Sequence, residues 1–168
     1  MSLFNVYPLY QMTPSHAKMC YVYDKNGTKY LDLYGGHAVI SIGHSHPTYV
    51  KALTNQLNNI GFYSNYIINE LQQSVANEIK IQSKCNNYNL FMTNSGAESN
   101  ENALQVASFY TKKSRIIAFK NSFHGRSNAA LSITDNPNIK SKMNEKINVT
   151  FLDFNDEKNF NKEISKGD

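Results

Sequence analysis

Two short stretches hold residue types whose spacing suits chemistry. In Asn94-Ser95-Gly96-Ala97-Glu98, a tight turn of small residues follows the apolar run Leu90-Phe91-Met92 and opens into a helical pattern. The first backbone N–H groups of a helix lack partners within it, and the helix dipole adds positive potential at that end. An anion such as a phosphate fits there; Gly96 lets the backbone come close and Ser95 can add a hydroxyl. The same residues also spell an ordinary cap, with Ser95 as N-cap and Glu98 closing a capping box. Gly-x-Gly-x-x-Gly is absent and no Gly-Lys-Ser/Thr follows, so neither a dinucleotide fingerprint nor a P-loop is present.

The second stretch is Ser122-Phe123-His124-Gly125-Arg126. A loop aromatic can stack on a flat heterocycle, and Arg126 offers a planar fork to a carboxylate. His124 beside a helix start could act as a general base. The plain readings are a core Phe, a solvated Arg and a structural His. His44-Ser45-His46 invites a metal reading, but Pro47 starts a helix there and no cysteine or acid accompanies the pair in sequence. Asp153 and Asp156 read as a turn and a helix cap rather than as paired catalytic carboxylates. No Ser-His-Asp or Cys-His order stands out.

The elements that must position these residues follow from periodicity. Cys20 to Tyr34 reads as a β-hairpin turning at Asn26-Gly27, a pair suited to a type I′ turn. A helix from Pro47 carries Val50, Leu53, Leu57 and Ile60 on one face. Another follows Asn69 as its cap, with Leu71, Val75, Ile79 and Ile81 as its buried side. From Tyr88 onward strands and helices alternate. The strands are expected at Tyr88 to Thr93, Arg115 to Phe119 and Ile147 to Leu152. The helices are expected at Ser95 to Tyr110, Gly125 to Ile133 and Glu157 to Ile164, with Ala103, Leu104, Ala107 and Tyr110 inward on the first. Such alternation predicts an α/β fold with a parallel sheet, in which ligands collect beyond the carboxyl ends of the strands. Both chemical stretches fall at such ends.

The 168 residues suffice for one domain with a real core. The net charge of +4 comes from lysines scattered among acids, without a basic stripe, which argues against nucleic acid. Cys20 and Cys85 are expected as free thiols of a reducing compartment. With no signal-peptide pattern and no stretch of transmembrane length, a cytoplasmic protein without a membrane partner is expected.

Four segments together resemble the class III pyridoxal-phosphate aminotransferases, and most closely the acetylornithine aminotransferases. They are Tyr30-Leu31-Asp32-Leu33, Gly43-His44-Ser45-His46-Pro47, Asn94 through Glu101, and Ser122-Phe123-His124-Gly125-Arg126, in the family's order. The resemblance implies a fold-type I pyridoxal-phosphate transferase. Residues 1–45 would form a hairpin segment of the small domain, and residues 46–168 the incomplete beginning of the large, mostly parallel sheet domain. It implies pyridoxal 5′-phosphate as cofactor, with Ser95, Gly96 and Ala97 at the phosphate and Phe123 and His124 at the ring. Arg126 would bind the substrate carboxylate. The substrates would be N-acetylornithine or N-succinylornithine with 2-oxoglutarate, in arginine biosynthesis, and the intact enzyme would be a homodimer. His37 stands where the family often carries an apolar residue.

One part of the pattern is missing. The lysine that holds the cofactor as a Schiff base, and the acid that faces the pyridine nitrogen, have no matching context among these residues. The resemblance therefore implies no catalytic residue in this chain, which is expected as the N-terminal portion of an enzyme more than twice as long and inactive alone. An ornithine or other ω-amino acid aminotransferase is the alternative within the class. A non-catalytic phosphate- or cofactor-binding domain is the alternative outside it.

Overall fold

The computed structural model describes residues 3, 4 and 6–168. They cluster into two compact units, Met1–Glu70 and Leu71–Asp168.

The first unit is built on an antiparallel sheet in the order β1 (Pro14–Lys18), β2 (Tyr21–Asp24) and β3 (Lys29–Leu31). Tyr21 pairs with Leu31, Val22 with Tyr30 and Tyr23 with Lys29, so the hairpin forms where alternating aromatic and aliphatic residues favour it. Its turn is not the two-residue type I′ expected. Asp24 N–H bonds to Thr28 carbonyl at 3.1 Å, leaving a three-residue loop in which Gly27 takes φ +83°. The reason is Asp24. Its buried carboxylate accepts from Asn26 N–H at 2.8 Å, Thr28 N–H at 2.9 Å and Tyr30 Oη at 3.1 Å, so its side chain organises the turn. The Thr28 amide foremost holds that carboxyl below its usual range, against burial. Strand β1 was not legible in sequence. Its residues lack period-two patterning, and it is held by backbone pairing to β2 and by His16 stacking on Tyr23 at 4.5 Å.

After β3, Asp32 takes over in the same way. Its Oδ1 accepts from Tyr34 and Gly35 N–H at 2.9 and 2.8 Å, opening the single turn α1 (Gly35–Ala38), and its Oδ2 lies 2.7 Å from His44 Nε2. His44 is thus tied to a carboxylate and, by a backbone bridge, to Met19. Helix α2 (Pro47–Asn59) starts at Pro47 as expected. Helix α3 (Glu70–Ser83) starts directly after Asn69. Their apolar stripes correct one expectation. Val50, Leu53 and Leu57 on α2 with Ile60 just after its end, and Leu71, Val75, Ile79 and Ile81 on α3, are each at least 45% exposed, so neither stripe is a buried side here. The period encodes a face to be covered, and no element of the described residues covers these faces.

In the second unit, β4 (Ile116–Phe119) and β5 (Val149–Leu152) pair in parallel, Ile116 with Val149 through Phe119 with Leu152. This is the parallel sheet that strand–helix alternation predicts. Residues 88–93 form no strand, because nothing among the described residues pairs with them; a strand exists only with a partner. Helix α4 (Gly96–Thr111) precedes β4, the short α5 (Asn128–Ser132) sits between β4 and β5, and α6 (Glu157–Ile164) follows β5 from an Asp156 cap. The expected helix from Gly125 is therefore shorter, because residues 124–127 form the loop that leads into it. Arg115 ties the end of α6 back to the sheet through Glu163 and Thr150. The core is small and lies beneath α5: Ala118, Ala129, Ala130, Ile133 and Leu152, with Thr134 wholly buried among them.

Candidate functional site

The second unit brings the two chemical stretches together through α4. Ser95 has extended backbone and its Oγ accepts from Glu98 N–H at 3.1 Å, while Glu98 Oε2 accepts from Asn94 N–H at 2.6 Å. The capping box is real. It satisfies the amides of Asn94 and Glu98 but not those between them. Among the described residues, Gly96 and Ala97 N–H have no acceptor, and a Cβ placed on Gly96 would meet nothing within 4 Å. Cap and anion site are compatible readings of one turn: the box orients the helix start and leaves two amide donors without an acceptor among the described residues.

The inward face of α4 differs from expectation. Ala103 and Ala107 are exposed and Tyr110 almost wholly so; only Leu104 of the predicted set is half-buried. The face turned inward runs Ala97, Asn100, Glu101, Leu104, at i, i+3, i+4, i+7. Its two polar members grip the second stretch. Asn100 Nδ2 donates to His124 carbonyl at 2.8 Å. Glu101 Oε2 accepts from Ser127 Oγ at 2.7 Å, Ala129 N–H at 2.8 Å and Ala130 N–H at 3.1 Å. Ser127, the cap residue of α5, makes no cap bond of its own, so a side chain from another helix caps α5.

The approach to Ala97 is closer still. Gly125 is buried at φ +136°, and a Cβ built there would lie 2.5 Å from Ala97 Cβ and 2.8 Å from Ala97 Cα. Only glycine fits so near. On the other side, Thr134 Oγ1 accepts from His124 N–H at 2.9 Å and Asp135 Oδ2 from Asn121 N–H at 2.7 Å. Phe123 stands on this anchored loop 67% exposed, not in the core, and Arg126 is exposed beside it. His124 is half-buried with Nε2 3.1 Å from Ser122 Oγ, whose own proton goes to Phe119 carbonyl; Nε2 is therefore the donor. Asn100, Glu101 and Thr134 were not singled out from sequence. The helical spacing of Asn100 and Glu101 from Ala97 is the signal that carries the first two.

Burial raises the Glu101 carboxyl, but the bonds from Ser127, Ala130 and Ala129 outweigh it and hold it below its usual range. Its folded pKa lies under the unfolded value of about 4.3, so its contribution is complete above that pH and is lost as pH falls through the folded value. Amide exchange at Ala129 and Ala130 should accordingly accelerate, relative to other amides, only below about pH 4. Exchange NMR at falling pH checks this; protection at these two amides already lost above about pH 4 contradicts it.

A helix start with two amides that lack an acceptor, beside an anchored loop bearing an exposed ring and a guanidinium, is an arrangement that suits an anion joined to a flat ring. The comparisons are specific. Residues 5–167 match the family model for aminotransferase class-III, and the chain belongs to that family, whose cofactor is pyridoxal phosphate. It is 36% identical over 168 residues to an acetylornithine aminotransferase of Bacillus amyloliquefaciens, covering 99% of this chain and 72% of that one. Against the acetylornithine aminotransferase of Bacillus subtilis the identity is also 36%, over 99% of this chain and 43% of the relative. Among solved structures, an ornithine aminotransferase from Toxoplasma gondii superposes with a TM-score of 0.82 at 21% identity, over 94% of this chain and 39% of that one. A taurine:2-oxoglutarate aminotransferase from Bifidobacterium kashiwanohense, in complex with PLP and glutamate, gives 0.74 at 23% identity, over 92% and 35%. The chain thus spans well under half the length of several proteins it matches. Among the described residues no helix is long and apolar enough to cross a membrane, and no three His, Cys, Asp or Glu side chains group to hold a metal.

Proposed function

We propose that this chain carries the phosphate and ring cradle of an aminotransferase that moves the δ-amino group of an N-acylated ornithine to 2-oxoglutarate. The observation that carries the reading is the pair of unengaged amides at Gly96 and Ala97, set against a loop pinned by Gly125. These residues fit pyridoxal phosphate. In this reading Ser95, Gly96 and Ala97 bind the phosphate, Phe123 stacks on the ring, His124 stands at the ring edge, and Arg126 receives the substrate carboxylate. Bound pyridoxal phosphate supplies an electron sink for the carbon bonded to the migrating amino group. The chain's own share is to bind and orient. The α4 dipole neutralises phosphate charge, and Arg126 fixes the substrate by its carboxylate. The exposed Phe123 shields one ring face from water.

The names of the relatives support acetylornithine as substrate; the reading sets the reaction in arginine biosynthesis. The reading includes a homodimer in the cytoplasm, with Gly61-Phe62-Tyr63-Ser64-Asn65 as an interface segment, and the division into small-domain residues 1–45 and large-domain residues 46–168. No lysine of this chain stands in the family's anchoring context. The chain is therefore expected to bind pyridoxal phosphate reversibly, in competition with inorganic phosphate, with no stoichiometric lysine adduct after borohydride. Absorbance titration and peptide mapping test this. A unique stoichiometric adduct with turnover, or an absence of phosphate-competable binding, overturns it.

A further inference from the structure

We infer that Glu101 is a positioning residue for Arg126: by capping α5 from α4, it sets the carboxylate-binding guanidinium at a fixed offset from the phosphate amides. The inference rests on the reading of Gly96, Ala97 and Arg126 proposed above.

Three donors converge on one carboxylate. Ser127 Oγ, the residue directly after Arg126, lies 2.7 Å from Glu101 Oε2, and the amides of Ala129 and Ala130 lie at 2.8 and 3.1 Å. Glu101 is rooted one and a half turns inside α4, the helix whose first amides form the phosphate side. Asn100, its neighbour on the same inward face, takes the His124 carbonyl, two residues before Arg126. The Arg126 backbone is therefore bracketed by bonds to consecutive α4 residues. A rigid helix between the two anchor points fixes their separation more closely than a loop could. A glutamine offers one acceptor oxygen where the carboxylate offers two, and its amide group opposes the incoming N–H donors. Loosening the bracket leaves the phosphate amides in place, because they belong to α4 itself, and frees Arg126.

The test separates the two ends of the cradle with two probes. Pyridoxine 5′-phosphate carries phosphate and ring; N-(5′-phosphopyridoxyl)-glutamate adds the substrate carboxylates. The wild-type chain should bind the second about tenfold or more tightly, the scale of one charge-assisted pair. Glu101→Gln should keep pyridoxine phosphate affinity within about twofold and lose most of that preference, about as Arg126→Gln does. The double variant should be no worse than either single one. Ser127→Ala, which removes one of the three bonds and is milder to the fold, should lose about threefold of the preference. A preference retained in Glu101→Gln and Ser127→Ala, or equal weakening for both probes, overturns the positioning role while leaving the phosphate site intact. A wild-type chain that binds neither probe, or both alike, overturns instead the reading of the site on which the role rests.

Discussion

Gly96→Asp should abolish binding of pyridoxal phosphate without unfolding the chain. A Cβ at Gly96 meets no atom within 4 Å, so the side chain has room. An acid at the first position of a helix favours the helix by about 0.3–1 kcal/mol through the dipole, so the fold should be neutral to slightly stabilised. The same carboxylate stands where the phosphate must come. Juxtaposed like charges cost several kcal/mol, which translates to a loss of about a hundredfold or more in affinity. Gly96→Ala, which adds bulk without charge, should lose much less. Isothermal titration with pyridoxal phosphate and a thermal melt of the same sample check the pair of outcomes. Intact binding in Gly96→Asp contradicts the phosphate assignment; lost binding with a lowered melting temperature makes the effect structural.

Gly125→Ala should be the most damaging small substitution in the second unit. The added methyl would lie 2.5 Å from Ala97 Cβ and 2.8 Å from its Cα, which belongs to the backbone of α4. A non-glycine residue at φ +136° is strained as well. Overpacking and backbone strain together cost about 2–5 kcal/mol. For a unit of this size a loss of that order lowers the melting temperature by roughly 10 °C or more. The strain is relieved by lifting the loop off α4, which should also break the Asn100 bond to His124 carbonyl and the Glu101 bonds to α5. Ala97→Gly in the same chain removes the methyl–methyl clash but leaves the new methyl pressed against the α4 backbone, so it should rescue only in part. Calorimetry settles it: an unchanged melting temperature contradicts the close approach of Gly125 and Ala97.

The two chemical stretches stand out in the sequence more completely than the fold that holds them. Ser95-Gly96-Ala97 and Phe123 through Arg126 are local patterns: a cap, a strand end, an aromatic next to glycine and arginine. Their meaning needs few neighbours, so they are legible in a linear reading. Helices α2, α4 and α6 were legible for the same reason, since Pro47, Ser95 and Asp156 mark their starts by local chemistry. What failed was tertiary. The inward face of α4 was read from its alanines, yet Asn100 and Glu101 face inward because the His124 carbonyl needs a donor there and the first amides of α5 need an acceptor. The turn at Asn26-Gly27 lengthened because Asp24, two residues earlier, brings its own acceptors into it. Tyr88 to Thr93 has strand composition without a partner, and the stripes of α2 and α3 are amphipathic without a cover. Periodicity specifies a face; it does not supply the surface against which that face packs.

The most direct test of the cradle is an amide NMR titration of the chain, first with inorganic phosphate and then with pyridoxal 5′-phosphate. Inorganic phosphate should shift the amides of Gly96 and Ala97, with little change from Phe123 to Arg126. Pyridoxal 5′-phosphate should shift both groups with one common saturation curve. Shifts confined to residues outside these two stretches, or a pyridoxal phosphate response that leaves Gly96 and Ala97 unmoved, would contradict it.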